Sequence, residues 1–237
     1  MAWDDNHRWL EVSASPDIWT WSSMSQTFFD LRMLAFKLKT GGLVVVSPVP
    51  EVDEASLAVL DSYGPVTAIL APNYYHNLGI KIFLRRYPAA KLYAHDRAIP
   101  RLEKVTGLNF ASAMQLADLL PNNLHFAFPE GLKLGEIWLY TASKSPNSGI
   151  LAVCDCFFNM RSGKNFIWDK FFRLANNYPG LKVSRLFGWT AIADRDRYRE
   201  WLRQFFSQSK LTLMIPSHGE IYESSSLTGE LLALNGL

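Results

Sequence analysis

Side chains able to do chemistry gather in this sequence at the ends of apolar runs. Pro65-Val-Thr-Ala-Ile-Leu-Ala71 leads into a polar loop holding Asn73, Tyr74, Tyr75, His76 and Asn77, closed by Gly79. Leu151-Ala-Val-Cys ends in Asp155, and Leu213-Met-Ile-Pro-Ser ends in His218 and Gly219. A fourth polar stretch, residues 142–148, carries Lys144. Imidazole and carboxylate are the groups that ligate metals or move protons near neutral pH. Other chemistries find less support. No Gly-x-Ser-x-Gly elbow is present for a serine hydrolase. Ser217 and His218 are neighbours on one strand and point to opposite faces, so they do not form a nucleophile–base pair. There is no P-loop and no Gly-x-Gly-x-x-Gly. Cys154 and Cys156 flank Asp155; if the aspartate faces a cleft, both thiols face away, as buried small hydrophobes. His7, His95 and His125 lack convincing partners in these loops, with Asp96 beside His95 read as a helix cap.

The elements that must position these loops follow from patterning. Residues 31–38 and 43–47 read as strands around the turn Thr40-Gly41-Gly42. Residues 53–62 read as a helix, 65–71 as a buried strand, and a helix runs through about Arg86. Strand 91–94 and helix 97–104 follow. The centre reads as strands in hairpin succession at 124–128, 132–141 and 149–154. The aromatic stretch 166–172 is expected to be helical and to serve as core, and Asp194 to Phe206 is an amphipathic helix before strand 211–215. The alternation predicts a layered α/β domain, with the plan of strands and helices recurring once in each half. Residues 1–30, with Trp3, Trp9, Trp19, Trp21 and the Phe28-Phe29 pair, are expected to be an N-terminal arm packing its rings onto a single domain at 31–237.

Composition sets limits. Of 237 residues 49% are hydrophobic, enough for a substantial core, and the formal charge of +2 is scattered rather than clustered. A nucleic-acid partner is therefore not expected, nor a membrane one, since no run approaches the ~20 apolar residues of a span. Two closely spaced cysteines, and Asp4 and Asp5 where a secretory signal would need a basic start, lead us to expect a cytoplasmic protein.

The plan and its strand-end loops resemble the metallo-β-lactamase superfamily over roughly residues 31–222. Leu151-Ala-Val-Cys-Asp155 resembles the strand ending in that family's metal-bridging aspartate, and Leu213-Met-Ile-Pro-Ser-His218-Gly the strand ending in its last histidine ligand. The loop 71–79 sits where the family has His-x-His-x-Asp-His followed by Gly. Its Pro-Asn-x-x-His pattern and the turn Ser47-Pro-Val-Pro50 are also similar to a branch of the superfamily known as a domain of unknown function. The resemblance implies a four-layer αββα sandwich and a metal-dependent hydrolase.

With Gly79 as anchor, the family's first two histidine positions hold Pro72 and Tyr74, its aspartate position holds His76 and its final histidine Asn77. Residues 142–148 contain no histidine, and Ser47 stands where the family has a buttressing aspartate. The resemblance thus implies a degenerate site of one metal at most, with His76, Asp155 and His218 as ligands and Asn77 as a weak fourth. Two imidazoles and one carboxylate suit Zn²⁺, Fe²⁺ or Mn²⁺. Such an ion lowers the pKa of a bound water from about 16 toward roughly 7, for attack on an ester, amide or phosphoester. Asn73, Tyr74, Tyr75 and Lys144 are then the candidates to orient the substrate, a small molecule, and to stabilise an oxyanion. Two alternatives stand beside this reading: a catalytically silent member of the fold acting as a binding or scaffold module, and an iron-dependent oxidoreductase. A homodimer is compatible with each of these readings.

Overall fold

A computed structural model describes residues 4–13, 15, 17–23, 30–141, 149–160, 170, 173–177 and 179–237. The first sheet contains strands β1 (Leu10–Glu11), β2 (Ile18–Ser23), β3 (Leu31–Lys37), β4 (Leu43–Val46), β5 (Val66–Ala71), β6 (Lys91–Ala94) and β7 (Ala111–Ser112), in that order. It is antiparallel as far as β4 and parallel from β4 to β7. Helices α1 (Glu54–Tyr63), α2 (Ile80–Arg86), α3 (Ile99–Thr106) and α4 (Ala113–Ala117) occupy the connections. Then come β8 (Leu124–Ala127), β9 (Trp138–Thr141), β10 (Gly149–Val153), β11 (Phe158–Met160), β12 (Gly180–Lys182), α5 (Arg185–Thr190), α6 (Arg195–Ser207), β13 (Leu211–Pro216), β14 (Tyr222–Glu223) and α7 (Leu227–Leu234). The second sheet has the order β14-β13-β10-β9-β8, and β11 pairs with β12 in a small ribbon.

Period-two alternation divides the apolar residues into three cores. Leu34, Phe36, Val44, Val46 and Leu70 meet Leu139, Ile150, Ala152, Leu213 and Ile215 between the two sheets. The alternate residues Met33, Ala35, Val45 and Ile69 face outward onto Leu57 and Leu60 of α1, Ile80 and Phe83 of α2 and Leu102 of α3. On the far side, Trp138, Leu151, Val153 and Met214 pack on Tyr198, Leu202 and Phe206 of α6 and on Leu227 and Leu231 of α7. Helix, sheet, sheet, helix is the expected four-layer order.

Some expectations need correction. The N-terminal segment contributes two strands, with β2 in register with β3 from Ile18↔Phe36 to Ser23↔Leu31. It is tied to α1 as well, because the indole N–H of Trp21 donates to Ser56 Oγ (3.0 Å) and that of Trp9 to the Ser56 carbonyl (2.9 Å). An amphipathic Trp is buried most favourably where its ring packs and its N–H is satisfied, and the sheet face against α1 provides both. The run 132–141 is a strand only from Trp138, because Gly131 and Gly135 take left-handed φ of 75° and 63° and break the extended backbone. At 95–97 the local hydrogen bond is the reverse of the expected cap: the Arg97 N–H donates to His95 Nδ1 (3.0 Å), and α3 has no side-chain cap. Trp3, the Phe28-Phe29 pair, residues 142–148 and all of 166–172 except Lys170 lie outside the described residues. Among the described residues, no helix is long and apolar enough to cross a membrane.

Candidate metal centre

His76, Asp155 and His218 come from three separate chain segments and meet at the same end of the two sheets. Their ligand atoms all lie within 4.8 Å of one another. One oxygen, Asp155 Oδ1, is shared: it lies 3.3 Å from His76 Nε2 and 3.1 Å from His218 Nε2. Two atoms bound tetrahedrally to one ion at 2.0–2.2 Å lie about 3.3–3.6 Å apart, and the two distances from the shared oxygen are at or just under that.

Each group is held from behind. Ser47 Oγ contacts His76 Nδ1 at 2.7 Å, and the Asp30 carbonyl contacts His218 Nδ1 at 3.0 Å. A carbonyl only accepts, so Nδ1 of His218 carries a proton. The 3.1 Å contact between Nε2 and Asp155 Oδ1 is satisfied either by a proton on Nε2 or by a cation shared between the two atoms. Two imidazole nitrogens and one carboxylate oxygen are donor types that a divalent transition ion takes, so the donor set fits one. Phe158 stacks on the His218 ring, with centroids 5.3 Å apart. Asn73, fully buried, donates from Nδ2 to Asp155 Oδ2 at 2.7 Å, while its Oδ1 accepts the Tyr75 N–H at 2.7 Å. It couples the 72–79 loop to the aspartate.

Behind Asp155 is a group that the sequence reading did not single out. Glu136 is buried, and its carboxylate accepts the backbone N–H groups of Cys154, Asp155 and Cys156 as well as the Trp138 indole N–H. Burial, and after it the negative charge of Asp155, pushes the Glu136 carboxyl up to about 7. Burial works in the same direction on Asp155, but the charges and hydrogen bonds of His76 and His218 outweigh it and hold that carboxyl far below the ordinary range. The signal for Glu136 was a lone acid within the apolar run Leu132–Thr141. Both cysteines are free and buried, and burial raises their thiol pKa well above the ordinary value.

Arg32, on β3, clamps the His218 loop. Its backbone N–H donates to the Ser217 carbonyl (2.9 Å), and its Nη1 donates to the Pro216 carbonyl (3.0 Å) and to that of Gly219. The guanidinium is paired in turn with buried Asp5, Nε to Oδ2 at 2.7 Å and Nη2 to Oδ1 at 3.1 Å. Glycine is required after both histidine loops. A Cβ on Gly79 would lie 2.2 Å from the Pro48 carbonyl oxygen, and one on Gly219, whose φ is 88°, 2.2 Å from that of Asn159.

The other anticipated residues are distributed unevenly. The Asn77 amide nitrogen donates to the Tyr74 and Tyr75 carbonyls (3.1 and 3.2 Å), which fixes the loop. Tyr74 and Tyr75 meet edge to face, with the Arg101 guanidinium 5.0 and 5.3 Å from their ring centres. Tyr75 lines the cavity beside the triad, whereas Tyr74 packs into the cores on either side. Lys144 lies outside the described residues.

Solved structures share this architecture along nearly its whole length. A DIM-1 metallo-β-lactamase exposed to ceftazidime superposes with a TM-score of 0.63 at 16% identity, over 98% of this chain and 99% of that one. The fold is that of the metallo-β-lactamases. The mono-zinc form of the metallo-β-lactamase FIM-1 from Pseudomonas aeruginosa matches with a TM-score of 0.61 at 13% identity, over 98% and 97% of the two chains. A metallo-β-lactamase from Pontibacter korlensis gives 0.57 at 14%, over 97% and 99%. No family model matches the sequence, and no curated protein does. Within the metallo-β-lactamase fold, β5, β10 and β13 deliver the three candidate ligands to one edge of the sandwich.

Proposed function

We propose that this chain is a metal-dependent hydrolase of a small molecule, working with one divalent ion, zinc, iron or manganese, at His76, Asp155 and His218. The observation that supports it is the shared Asp155 oxygen, with both imidazole Nε2 atoms 3.1–3.3 Å away and each ring tethered through Nδ1. Bound there, the metal supplies Lewis acidity and an activated water. The chain's own residues orient: Ser47 sets the His76 ring, the Asp30 carbonyl sets His218, and Asn73 holds Asp155 Oδ2. Because Asn73 occupies Oδ2, a single ion is favoured over an aspartate-bridged pair, and the site is the degenerate form of the family's. Solved relatives in fold are described as metallo-β-lactamases, one of them in a mono-zinc form. We place the protein in the cytoplasm on the strength of its two free thiols.

Elemental analysis of protein purified without chelator, beside His218→Ala, tests this. Near-stoichiometric metal that disappears in the variant is the expected result. No bound metal after addition of zinc, iron or manganese would overturn the proposal and leave the fold as a binding module.

A further inference from the structure

The triad forms part of the wall of a cavity of about 400 Å³. Leu31, Pro48, Leu78, Leu134, Phe158 and Leu186 supply much of the remaining wall, from six separate segments of the chain. Among the described lining residues, the charged or titratable groups other than Tyr75 are those of the triad itself. Leu78 and Leu186 are 67% and 36% exposed, so apolar surface continues outward from the cavity. Apolar side chains that stay exposed around a polar centre mark a surface built for an apolar ligand.

The cost of desolvation against the apolar wall separates the three bond types that the site's chemistry admits. A phosphoester or carboxylate entering here would lose its hydration against leucine, proline and phenylalanine. A neutral carbonyl compound loses little, and each methylene placed on the wall gains from leaving water. We infer that the cavity takes an uncharged carboxylic ester or amide bearing an apolar chain or ring, in preference to any phosphoester. Its cleavage, though not its binding, rests on the metal-site reading above. Hydrolysis consumes one water: its oxygen bonds to the carbonyl carbon, the C–O or C–N bond breaks, and a proton passes to the departing alcohol or amine.

Binding is measured first, by calorimetry on chelator-treated protein. The ligands are butanamide, octanamide and octanoate. Octanamide should bind at least about tenfold more tightly than butanamide, for its four extra methylenes, and about tenfold more tightly than octanoate, which differs in head-group charge. Leu186→Lys, at the exposed rim, should weaken octanamide and strengthen octanoate, each by roughly fivefold. Octanamide binding no better than butanamide, or octanoate equalling octanamide on the unaltered chain, overturns the inference. Zinc-loaded protein is then given p-nitrophenyl octanoate and bis(p-nitrophenyl) phosphate. Faster turnover of the octanoate ester is expected, and faster turnover of the phosphodiester overturns the preference. The binding pattern without any turnover would sink the hydrolase reading and leave the ligand class standing.

Discussion

Ser47 Oγ lies 2.7 Å from Nδ1 of His76, and Ser47 achieves this with a left-handed backbone, φ 54°. A non-glycine residue in that region costs on the order of 1–2 kcal/mol, a strain that other contacts must hold in place. Here the Ser47 N–H donates to the Leu70 carbonyl at 3.0 Å, and the turn that follows packs against Gly79. The strain aims a hydroxyl at the back of a candidate ligand. Ser47→Ala should therefore weaken zinc binding about 10–100-fold, as loss of a partner behind a ligand typically does, with little change in melting temperature. A competition titration with a chromophoric chelator measures this, and unchanged affinity would remove Ser47 from the site.

Arg32 and Asp5 form a buried pair, and removing one partner strands the other. Arg32→Ala should cost about 3–5 kcal/mol. Replacing both residues should cost less than the sum of the single changes, since neither charge is then left alone. Denaturant midpoints of the two single variants and the double variant give the coupling; simple additivity would contradict the pairing.

Acid should expose the same pair. Burial opposes ionisation of Asp5, but the charge and hydrogen bonds of Arg32, with those of Thr20 and Ser22, hold its carboxyl below the ordinary value. A carboxyl whose folded pKa is depressed stabilises the fold above its unfolded pKa, and that stability is lost as pH falls through the folded value. The stability of the native chain should therefore drop below about pH 4, and Asp5→Asn should flatten that part of the profile while lowering stability at neutral pH. Melting curves across the acid range decide it.

Glu136→Gln keeps the shape of the side chain and reverses one end of its hydrogen bonding. Oε1 accepts from Cys154, Cys156 and Trp138, and Oε2 accepts from Asp155. An amide NH₂ in either place faces a donor, which costs about 1–3 kcal/mol. The variant should melt earlier and bind zinc more weakly, because the displaced backbone carries Asp155. Equal stability by calorimetry would mean that the acid is not a structural acceptor.

Gly219→Ala places a Cβ against the Asn159 carbonyl oxygen at a positive φ. The loop must shift, and His218 precedes it directly. Loss of metal affinity larger than the loss of stability is the expected signature, read from zinc titration and thermal melts on the same samples.

Sequence periodicity carried much of the architecture. Alternation in 31–37, 43–46 and 149–153 separates the residues between the sheets from those under the helices, because the pleat alternates faces whatever the partner strand is. The three candidate ligands were legible as polar residues ending apolar strands. Their partners were not. A local pattern shows that a side chain is buried, but not which distant group will satisfy it. Arg32 meets the Gly219 carbonyl 187 positions away, and Asn73 meets Asp155 82 positions away. Trp19 and Trp21 read as rings to be covered, and only the pairing of β2 with β3 made them part of the sheet. The hydrogen bonds of the Asn77 amide nitrogen to the carbonyls of its own loop were likewise not readable from the sequence. Residue types and period thus pointed to the layers, and the resemblance of the strand-end loops to the metallo-β-lactamases pointed to the triad. The orientation of each ring and carboxylate, and the apolar wall beside them, depended on which segments folding brought within hydrogen-bond reach, because a hydrogen bond is specific only at about 3 Å.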